Sequence, residues 1–225
     1  MSDKIITRLQ IQQKNKERVN VFLNDEYAFS LELMMATGLR KGQTLTEADI
    51  AALQATDEGK RAYAAALNFL GQRARSQNEV AQRLQQREFS EEAIAQTMAR
   101  LQAEGYLNDV SFGQQWVANR QLFRPRSERA LRYELRRKGM DNTHIDEVLE
   151  TAEIDEDAAA WTALEPKIGR WAGLERVQFA QKAGGFLARR GFGHTVARRA
   201  IDRAWAQLNH EPDDTEVDHD ENEAL

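Results

Sequence analysis

Residues Arg126–Leu149 read RSERALRYELRRKGMDNTHIDEVL, and this stretch indicates a helical protein. Its apolar residues recur at spacings of three and four, which is the periodicity of an amphipathic helix. Ser127 is a preferred N-terminal capping residue, and Gly139 is a natural left-handed residue at a helix C-terminus. Asp141 or the following asparagine can then start a further helix. The stretch therefore predicts two helices joined by a tight turn.

The same pattern occurs three times along the chain. Leu84, Leu135 and Leu187 align, with separations of 51 and 52 residues. The first copy is RSQNEVAQRLQQREFSEEAIAQTM at Arg75–Met98, and the third is FLARRGFGHTVARRAI at Phe186–Ile201. A helical repeat of about fifty residues is typical of stacked helical units. We therefore expect a mainly α protein with three tandem three-helix repeats in an elongated array.

Capping residues divide each repeat into helices. Repeat two comprises residues 108–154, and we expect a helix from about Val110 to Leu122 ahead of its two other helices. Repeat one comprises residues 57–107. There, Ser76 with Glu79 is expected to cap one helix and Ser90 the next, and Gly105 ends the repeat. In residues 155–209, repeat three, Gly191 takes the place of Gly139.

Residues 1–56 differ from the rest because their apolar residues alternate. We expect three antiparallel strands, with Ile5, Thr7, Leu9 and Ile11 sharing one face of the first. Thr46 is expected to cap a short helix, and no strand is expected beyond the third. A small sheet with one apolar face must cover that face, so the sheet is expected to pack on the following helices.

Composition narrows the functional class. Hydrophobic residues make up 41% of the 225 residues, and mean hydropathy is −0.68. No apolar run approaches the roughly 20 residues of a membrane span, and the N-terminus lacks an apolar signal core. We expect a cytoplasmic monomer that does not engage a membrane. The absence of cysteine excludes disulfides, thiolate metal sites and a cysteine nucleophile.

Catalytic motifs are missing from the sequence. There is no phosphate-binding or dinucleotide-binding glycine loop. His144 and His194 each stand near an expected helix start, without a second ligand at metal spacing. His210 and His219 lie in an acidic tail, residues 210–225, which has too little apolar content to fold. We expect no enzyme activity, no catalytic residue, no cofactor and no metal.

Basic residues are concentrated in repeat two although the whole chain has a formal net charge of −5. Eight Lys/Arg and only two acids lie between Arg120 and Lys138. Equivalent positions of stacked repeats share a side, so the basic clusters are expected to form one surface for phosphates or an acidic protein groove. The expected surface comprises Arg73, Arg75, Arg120, Arg124, Arg126, Arg129, Arg132, Arg136, Arg137, Lys138, Arg189 and Arg190.

Two interpretations of these arginines stay open on the sequence alone. In the first, Arg129, Arg132 and Arg136 form an exposed stripe that binds a partner, with Tyr133 as the best exposed aromatic residue for stacking. In the second, the arginines pair with nearby acidic residues and only maintain solubility.

The residues also resemble a known family. YLNDVSFGQQWVANR at Tyr106–Arg120, followed by RSERALRYELRRKGM, is similar to the signature of the RecX regulatory family. The matching positions are Tyr106, Leu107, Asn108, Asp109, Phe112, Trp116, Arg120, Glu134, Leu135, Lys138 and Gly139. The resemblance spans roughly Ile5 to Leu208 and is densest between Arg73 and Met140.

The resemblance implies tandem three-helix repeats and a non-enzymatic modulator of the RecA recombinase. Such proteins lie along the groove of the RecA–DNA filament and restrain its growth, strand exchange, ATP hydrolysis and co-protease activity. Two other hypotheses remain: a nucleic-acid-binding repeat protein that contacts single- or double-stranded DNA without a recombinase partner, and a purely protein-binding scaffold.

Overall fold

The computed structural model describes residues 4–209, so the expected acidic tail lies outside the described residues. The described chain is mostly helical, with a small antiparallel sheet at its N-terminal end. It divides into two compact units, the first ending at Asp109 and the second beginning at Val110.

The N-terminal sheet has four strands in the order β3-β2-β1-β4. The three predicted strands are confirmed as β1 (Lys4–Ile11), β2 (Arg18–Leu23) and β3 (Glu26–Glu32). The expectation of no further strand was wrong, because Thr44–Leu45 forms β4 and pairs with the start of β1. Two residues carry too little alternation to be recognised as a strand, so only the pairing reveals it.

The expected face of β1 was also wrong. Ile6 is fully buried, whereas Ile5 and Ile11 are exposed. The pairing with β2 shifts between Ile6 and Arg8, so Thr7 is an extra residue in the strand. Such a bulge interrupts the period-2 alternation and changes which side chains face the core.

The apolar face of the sheet packs on the next helices, as predicted. A four-residue helix, α1 (Leu33–Ala36), follows β3, and the long helix α2 spans Glu47–Leu70. Ile50 and Leu53 of α2 pack against the core of the sheet. The capping box at Thr46 is present, but the helix it starts has 24 residues and is not short. Helix α2 therefore runs across the expected division at residues 56 and 57.

A buried ion pair joins the sheet to α2. Asp57 is only 3% exposed. Its two carboxylate oxygens accept hydrogen bonds from Arg18 Nη1 at 3.1 Å and Nη2 at 2.9 Å. The backbone N–H of Glu32 donates to the same carboxylate at 2.8 Å. Because Arg18 lies on β2 and Glu32 ends β3, Asp57 fixes both strands to the helix.

Repeat one consists of α2, α3 (Gln77–Gln85) and α4 (Glu91–Ala103). The predicted capping box of Ser76 and Glu79 is present, and Ser90 caps α4. Asp109 accepts a hydrogen bond from the backbone N–H of Gln77 at 2.9 Å. The core of this repeat is formed by Ala62, Ala66, Val80, Leu84, Ala93, Ile94, Leu101 and Leu107.

Repeat two consists of α5 (Asp109–Phe123), α6 (Glu128–Arg137) and α7 (Asn142–Ala152). Ser127 caps α6 and Asp141 caps α7, as the sequence predicts. A Cβ atom on Gly113 of α5 would lie 2.8 Å from side-chain atoms of Met140 and Val148, so α5 and its neighbours pack closely there.

Repeat three consists of α8 (Glu156–Ile168), α9 (Arg176–Arg189) and α10 (His194–Asn209), with a 3₁₀ turn at Gly169–Trp171. Its core is rich in alanine and is closed by ring contacts between Phe179 and both Trp171 and Trp205.

The predicted three-helix repeats are confirmed by burial and by the turns. Leu84, Leu135 and Leu187 lie in the middle helices of the three repeats, and each is fully buried. Gly139 and Gly191, which follow two of these helices, have φ values of +79° and +91°. Glycine adopts this left-handed conformation without a steric penalty, so it ends each helix sharply. Between residues 4 and 209, no helix is long and apolar enough to cross a bilayer.

Candidate interaction surface

Helix α6 presents one basic face that carries an exposed aromatic ring. Arg129, Arg136 and Arg137 are exposed, and Tyr133 between them is 62% exposed. Residues spaced by three, four and seven positions share a helix face, which brings these four side chains together. The opposite face carries Leu131 and Leu135, both fully buried. Exposed arginines around an exposed ring can contact phosphates, carboxylates and planar bases.

Arg132 differs from the other arginines of α6 because two acidic residues hold it. Its guanidinium pairs with Glu128 at 3.2 Å and with Asp146 of α7. Hydrogen bonding to Asp146 is the main cause that raises the pKa of Arg132. The expected stripe of Arg129, Arg132 and Arg136 is therefore centred instead on Arg129 and Arg136, with Arg132 paired at its margin.

Several basic residues of repeat two converge on one acidic residue, Glu134. Its carboxylate accepts hydrogen bonds from Arg120 Nε at 2.7 Å and from Trp116 Nε1 at 2.8 Å. Arg126 Nε lies 2.8 Å from the other carboxylate oxygen. Arg120 and Lys138 stand over the Trp116 ring at 4.3 and 4.7 Å from its centroid. Arg120 and Arg126 therefore share one acidic partner, Glu134.

The turn between α9 and α10 brings Arg190 to the start of α6. Arg190 Nη1 donates to the carbonyl of Pro125 at 3.1 Å, and the carbonyl of Arg190 accepts from the backbone N–H of Ser127 at 3.2 Å. Desolvation, followed by the charges of Arg126 and Arg124, lowers the pKa of Arg190. Three predicted surface residues from two repeats are thus brought together.

Gly191 makes this approach possible. A Cβ atom there would lie 2.4 Å from Ser127 Oγ and 2.6 Å from the Cβ of Ala130. Arg129 Nη2 donates to the carbonyl of Gly191 at 3.2 Å, so one arginine of the α6 face also contacts repeat three. Arg189 is exposed beside this turn.

Repeat one has its own group of arginines in the first unit. Arg75 and Arg83 lie over the Phe69 ring at 4.0 and 5.8 Å from its centroid. Arg73 pairs with Glu79 at 2.9 Å. Desolvation, and then the charge of Arg73, lowers the pKa of Arg75. Whether this group shares one surface with the arginines of repeats two and three stays a prediction.

The histidines occupy helix starts where they fall within the described chain. His144 pairs with the capping residue Asp141, and His194 begins α10. His210 and His219 lie outside the described residues. Among residues 4–209, no group of three or more histidine or acidic side chains is placed to hold a metal ion.

Two structural groups were not predicted from the sequence: the pair of Arg18 with Asp57, and Glu134 as a common acceptor. For Asp57 the sequence carried a weak signal, since an aspartate on the apolar side of a long helix needs a partner. For Glu134 the sequence carried no such signal, because it stands among eight basic residues with which it could equally pair.

Three family models match the sequence. They are described as the N-terminal domain of regulatory protein RecX, at residues 4–46; the first three-helix domain of RecX, at residues 62–101; and the second three-helix domain, at residues 108–149.

Relatives and solved structures agree with these matches. Regulatory protein RecX of Bacillus subtilis (strain 168) is 35% identical over 215 residues, which cover 94% of this chain and 80% of the relative. Regulatory protein RecX of Bacillus velezensis is 32% identical over 212 residues, which cover 93% of this chain and 79% of the relative. A crystal structure of regulatory protein RecX superimposes with a TM-score of 0.63 at 23% identity, covering 89% of this chain and 100% of the other. Crystalline RecX from Lactobacillus salivarius gives a TM-score of 0.58 at 19% identity, with coverages of 67% and 99%. The chain belongs to the RecX family of regulatory proteins.

Proposed function

We propose that this protein binds the RecA–DNA filament and restrains the recombinase, ATPase and co-protease activities of RecA. Membership of the RecX family supports the regulatory class. The observation that carries the proposal to this chain is the exposed face of α6, where Arg129, Arg136 and Arg137 surround Tyr133.

The charge distribution supports binding to an acidic partner. Residues 110–209 contain 17 Lys/Arg and 13 Asp/Glu, a formal charge of +4, although the whole chain has −5. The exposed side chains of α6 concentrate part of this excess on one side of a single helix. Such a local basic field attracts phosphates or an acidic protein groove, and salt weakens that attraction.

The direct test is a RecA ATPase assay on single-stranded DNA with increasing amounts of this protein. The wild type is expected to lower the steady-state rate. A triple variant, Arg129→Ala with Arg136→Ala and Arg137→Ala, is expected to require several-fold more protein for the same effect. The free energy of unfolding of the triple variant should change little, since exposed charges contribute about 0–1 kcal/mol each.

A matched control removes three exposed positive charges elsewhere in the same unit. Arg170→Ala, Arg176→Ala and Lys182→Ala together change the net charge by the same amount but lie in repeat three. This control should lower the RecA ATPase rate as the wild type does. No effect of wild-type protein on the ATPase would refute the proposed function, and equal losses in both triple variants would refute the role of the α6 face.

The second candidate function is direct nucleic-acid binding without a recombinase partner, and the exposure of Tyr133 favours it. If Arg129, Arg136 and Arg137 contact phosphates, the triple variant should have a weaker salt dependence of single-strand binding. The slope of log affinity against log salt concentration should fall by roughly 2, at about 0.7 for each contact. If they meet acidic groups of RecA instead, ATPase restraint should fall while intrinsic DNA binding stays constant.

A further inference from the structure

We propose that Arg124, Arg126 and Arg190 together form a binding site for a backbone phosphate of single-stranded DNA, where repeat two meets repeat three. The inference deepens the proposed function and rests on it for the choice of ligand. It differs from the α6 face because the three arginines come from both repeats and are assembled only by the tertiary fold.

Backbone contacts assemble the three arginines. Arg124 and Arg126 flank Pro125 in the chain, and the Pro125 carbonyl accepts the hydrogen bond from Arg190 Nη1 at 3.1 Å. The reciprocal bond from the backbone N–H of Ser127 to the Arg190 carbonyl, 3.2 Å, fixes the same junction. The guanidinium of Arg190 is therefore held beside the peptide that connects the other two arginines.

The cluster carries more positive than negative charge. Arg126 Nε lies 2.8 Å from Glu134, but this carboxylate is shared with Arg120. Within residues 4–209, neither Arg124 nor Arg190 has an acidic side chain within 4.0 Å. Two further carboxylates stand near the start of α6 and are already engaged: Glu128 pairs with Arg132, and Glu156 accepts the backbone N–H of Glu128 at 2.7 Å.

The conformation of Arg190 leaves donors for a ligand. Its guanidinium lies 4.6 Å from the centroid of the Phe186 ring, and the bond to Pro125 is the hydrogen bond that its side chain makes within residues 4–209. A guanidinium carries five N–H donors in a planar fork that suits phosphate oxygens. Desolvation, and then the charges of Arg126 and Arg124, lower the pKa of Arg190, and an anion bound beside the three arginines would offset their mutual repulsion.

Neighbouring apolar side chains favour single-stranded DNA over an inorganic or protein-borne anion. Leu122 and Phe123 at the end of α5 are 71% and 69% exposed, and they immediately precede Arg124. Base-on-aromatic stacking next to an arginine-lined track is the usual mode of sequence-tolerant single-strand binding. Phe123 is thus placed to stack on a base whose phosphate meets the arginine cluster.

The test measures the affinity of the full chain for a fluorescein-labelled oligothymidylate by anisotropy over a series of salt concentrations. Arg124→Ala and Phe123→Ser are chosen because both side chains are exposed and hold no other element in place. Arg124→Ala should weaken binding about tenfold at low salt and reduce the salt slope by about 0.7. Phe123→Ser should weaken binding with an unchanged slope, since it removes stacking and no charge.

The matched control is Lys182→Ala, which removes one exposed positive charge from α9. It should leave affinity and slope at wild-type values. Arg190→Lys keeps the charge but loses the planar guanidinium. This variant should bind DNA more weakly than the wild type, while a thermal unfolding transition shows that it is folded. An Arg124→Ala variant that binds with the wild-type affinity and slope overturns the proposal.

A second measurement separates DNA from other phosphate sources. Inorganic phosphate, compared with chloride at equal ionic strength, should raise the melting temperature of the wild type more than that of Arg124→Ala. If inorganic phosphate stabilises the wild type but the oligothymidylate does not bind, the assignment to DNA is wrong. If Arg124→Ala weakens only the binding of RecA in the absence of DNA, the partner is a protein and the assignment is again wrong.

The two proposals fail separately. A wild type that leaves RecA ATPase unchanged but binds oligothymidylate through Arg124 refutes the proposed function and retains the phosphate site. A wild type that restrains RecA, with DNA binding independent of Arg124, retains the proposed function and refutes the phosphate site.

Discussion

Removing Asp57 should unfold the junction between the N-terminal sheet and α2. Asp57→Ala deletes three hydrogen bonds, two from Arg18 and one from the backbone of Glu32. The Arg18 side chain is only 18% exposed, so its charge would remain buried without a counter-ion, although it keeps its bonds to Ser30. Breaking a buried pair from one side costs about 3–5 kcal/mol. We expect the free energy of unfolding of the first unit to fall by an amount in this range.

Hydrogen exchange measured by mass spectrometry is the suitable assay, because the two compact units need not unfold in one transition. Trp116, Trp161, Trp171 and Trp205 all lie after Asp109, so tryptophan fluorescence does not report directly on the sheet. A loss of about 3 kcal/mol should speed exchange in β2 and β3 by about 100-fold where exchange follows local opening.

A double-mutant cycle isolates the pair itself. Arg18→Ala, Asp57→Ala and the double variant should give a coupling energy above about 1.5 kcal/mol, whereas exposed pairs give about 0.2–1 kcal/mol. The exposed pair of Lys60 with Glu32, 2.7 Å apart, provides the control, and Lys60→Ala should cost less than about 1 kcal/mol. Coupling between Arg18 and Asp57 no larger than that of an exposed pair would refute the reasoning.

Three further predictions concern other regions. Gly191→Ala should destabilise the second unit by at least about 1 kcal/mol, measured by tryptophan fluorescence in urea, because the new Cβ meets Ser127 Oγ and φ is +91°; a stability equal to wild type would contradict the close approach. Hydrogen bonds from Tyr63 and then Arg100 lower the pKa of Glu104 in the folded protein. The stabilisation from the ionised carboxylate should therefore be complete above the unfolded pKa near 4.5 and disappear as pH falls through the lower folded pKa. The melting temperatures of wild type and Glu104→Gln should then converge in acid and separate at neutral pH. Removing residues 211–225, with eight Asp/Glu, should tighten DNA binding at low salt, and identical anisotropy titrations of both forms would refute this.

The sequence determined the local features of this protein. Ser76, Ser127 and Asp141 cap helices, and Gly139 ends one, because capping and left-handed turns depend on residues within one helical turn. The repeat was visible for a related reason. A leucine that must be buried in each middle helix recurs at a fixed spacing, whatever its final neighbours are.

The strand details and the charge pairing depend on residues that are distant in the chain and come together in the fold. The extra residue Thr7 changes the buried face of β1, and this follows from the register with β2 rather than from the composition of β1. Arg18 meets Asp57 across 39 positions, and Arg190 meets Pro125 across 65. Hydrogen bonds and ion pairs act over about 3–4 Å, so a sequence that offers many charges does not specify which of them come within that distance. The fold therefore assigns Arg120 and Arg126 to Glu134 and leaves Arg124 and Arg137 without an acidic partner among residues 4–209.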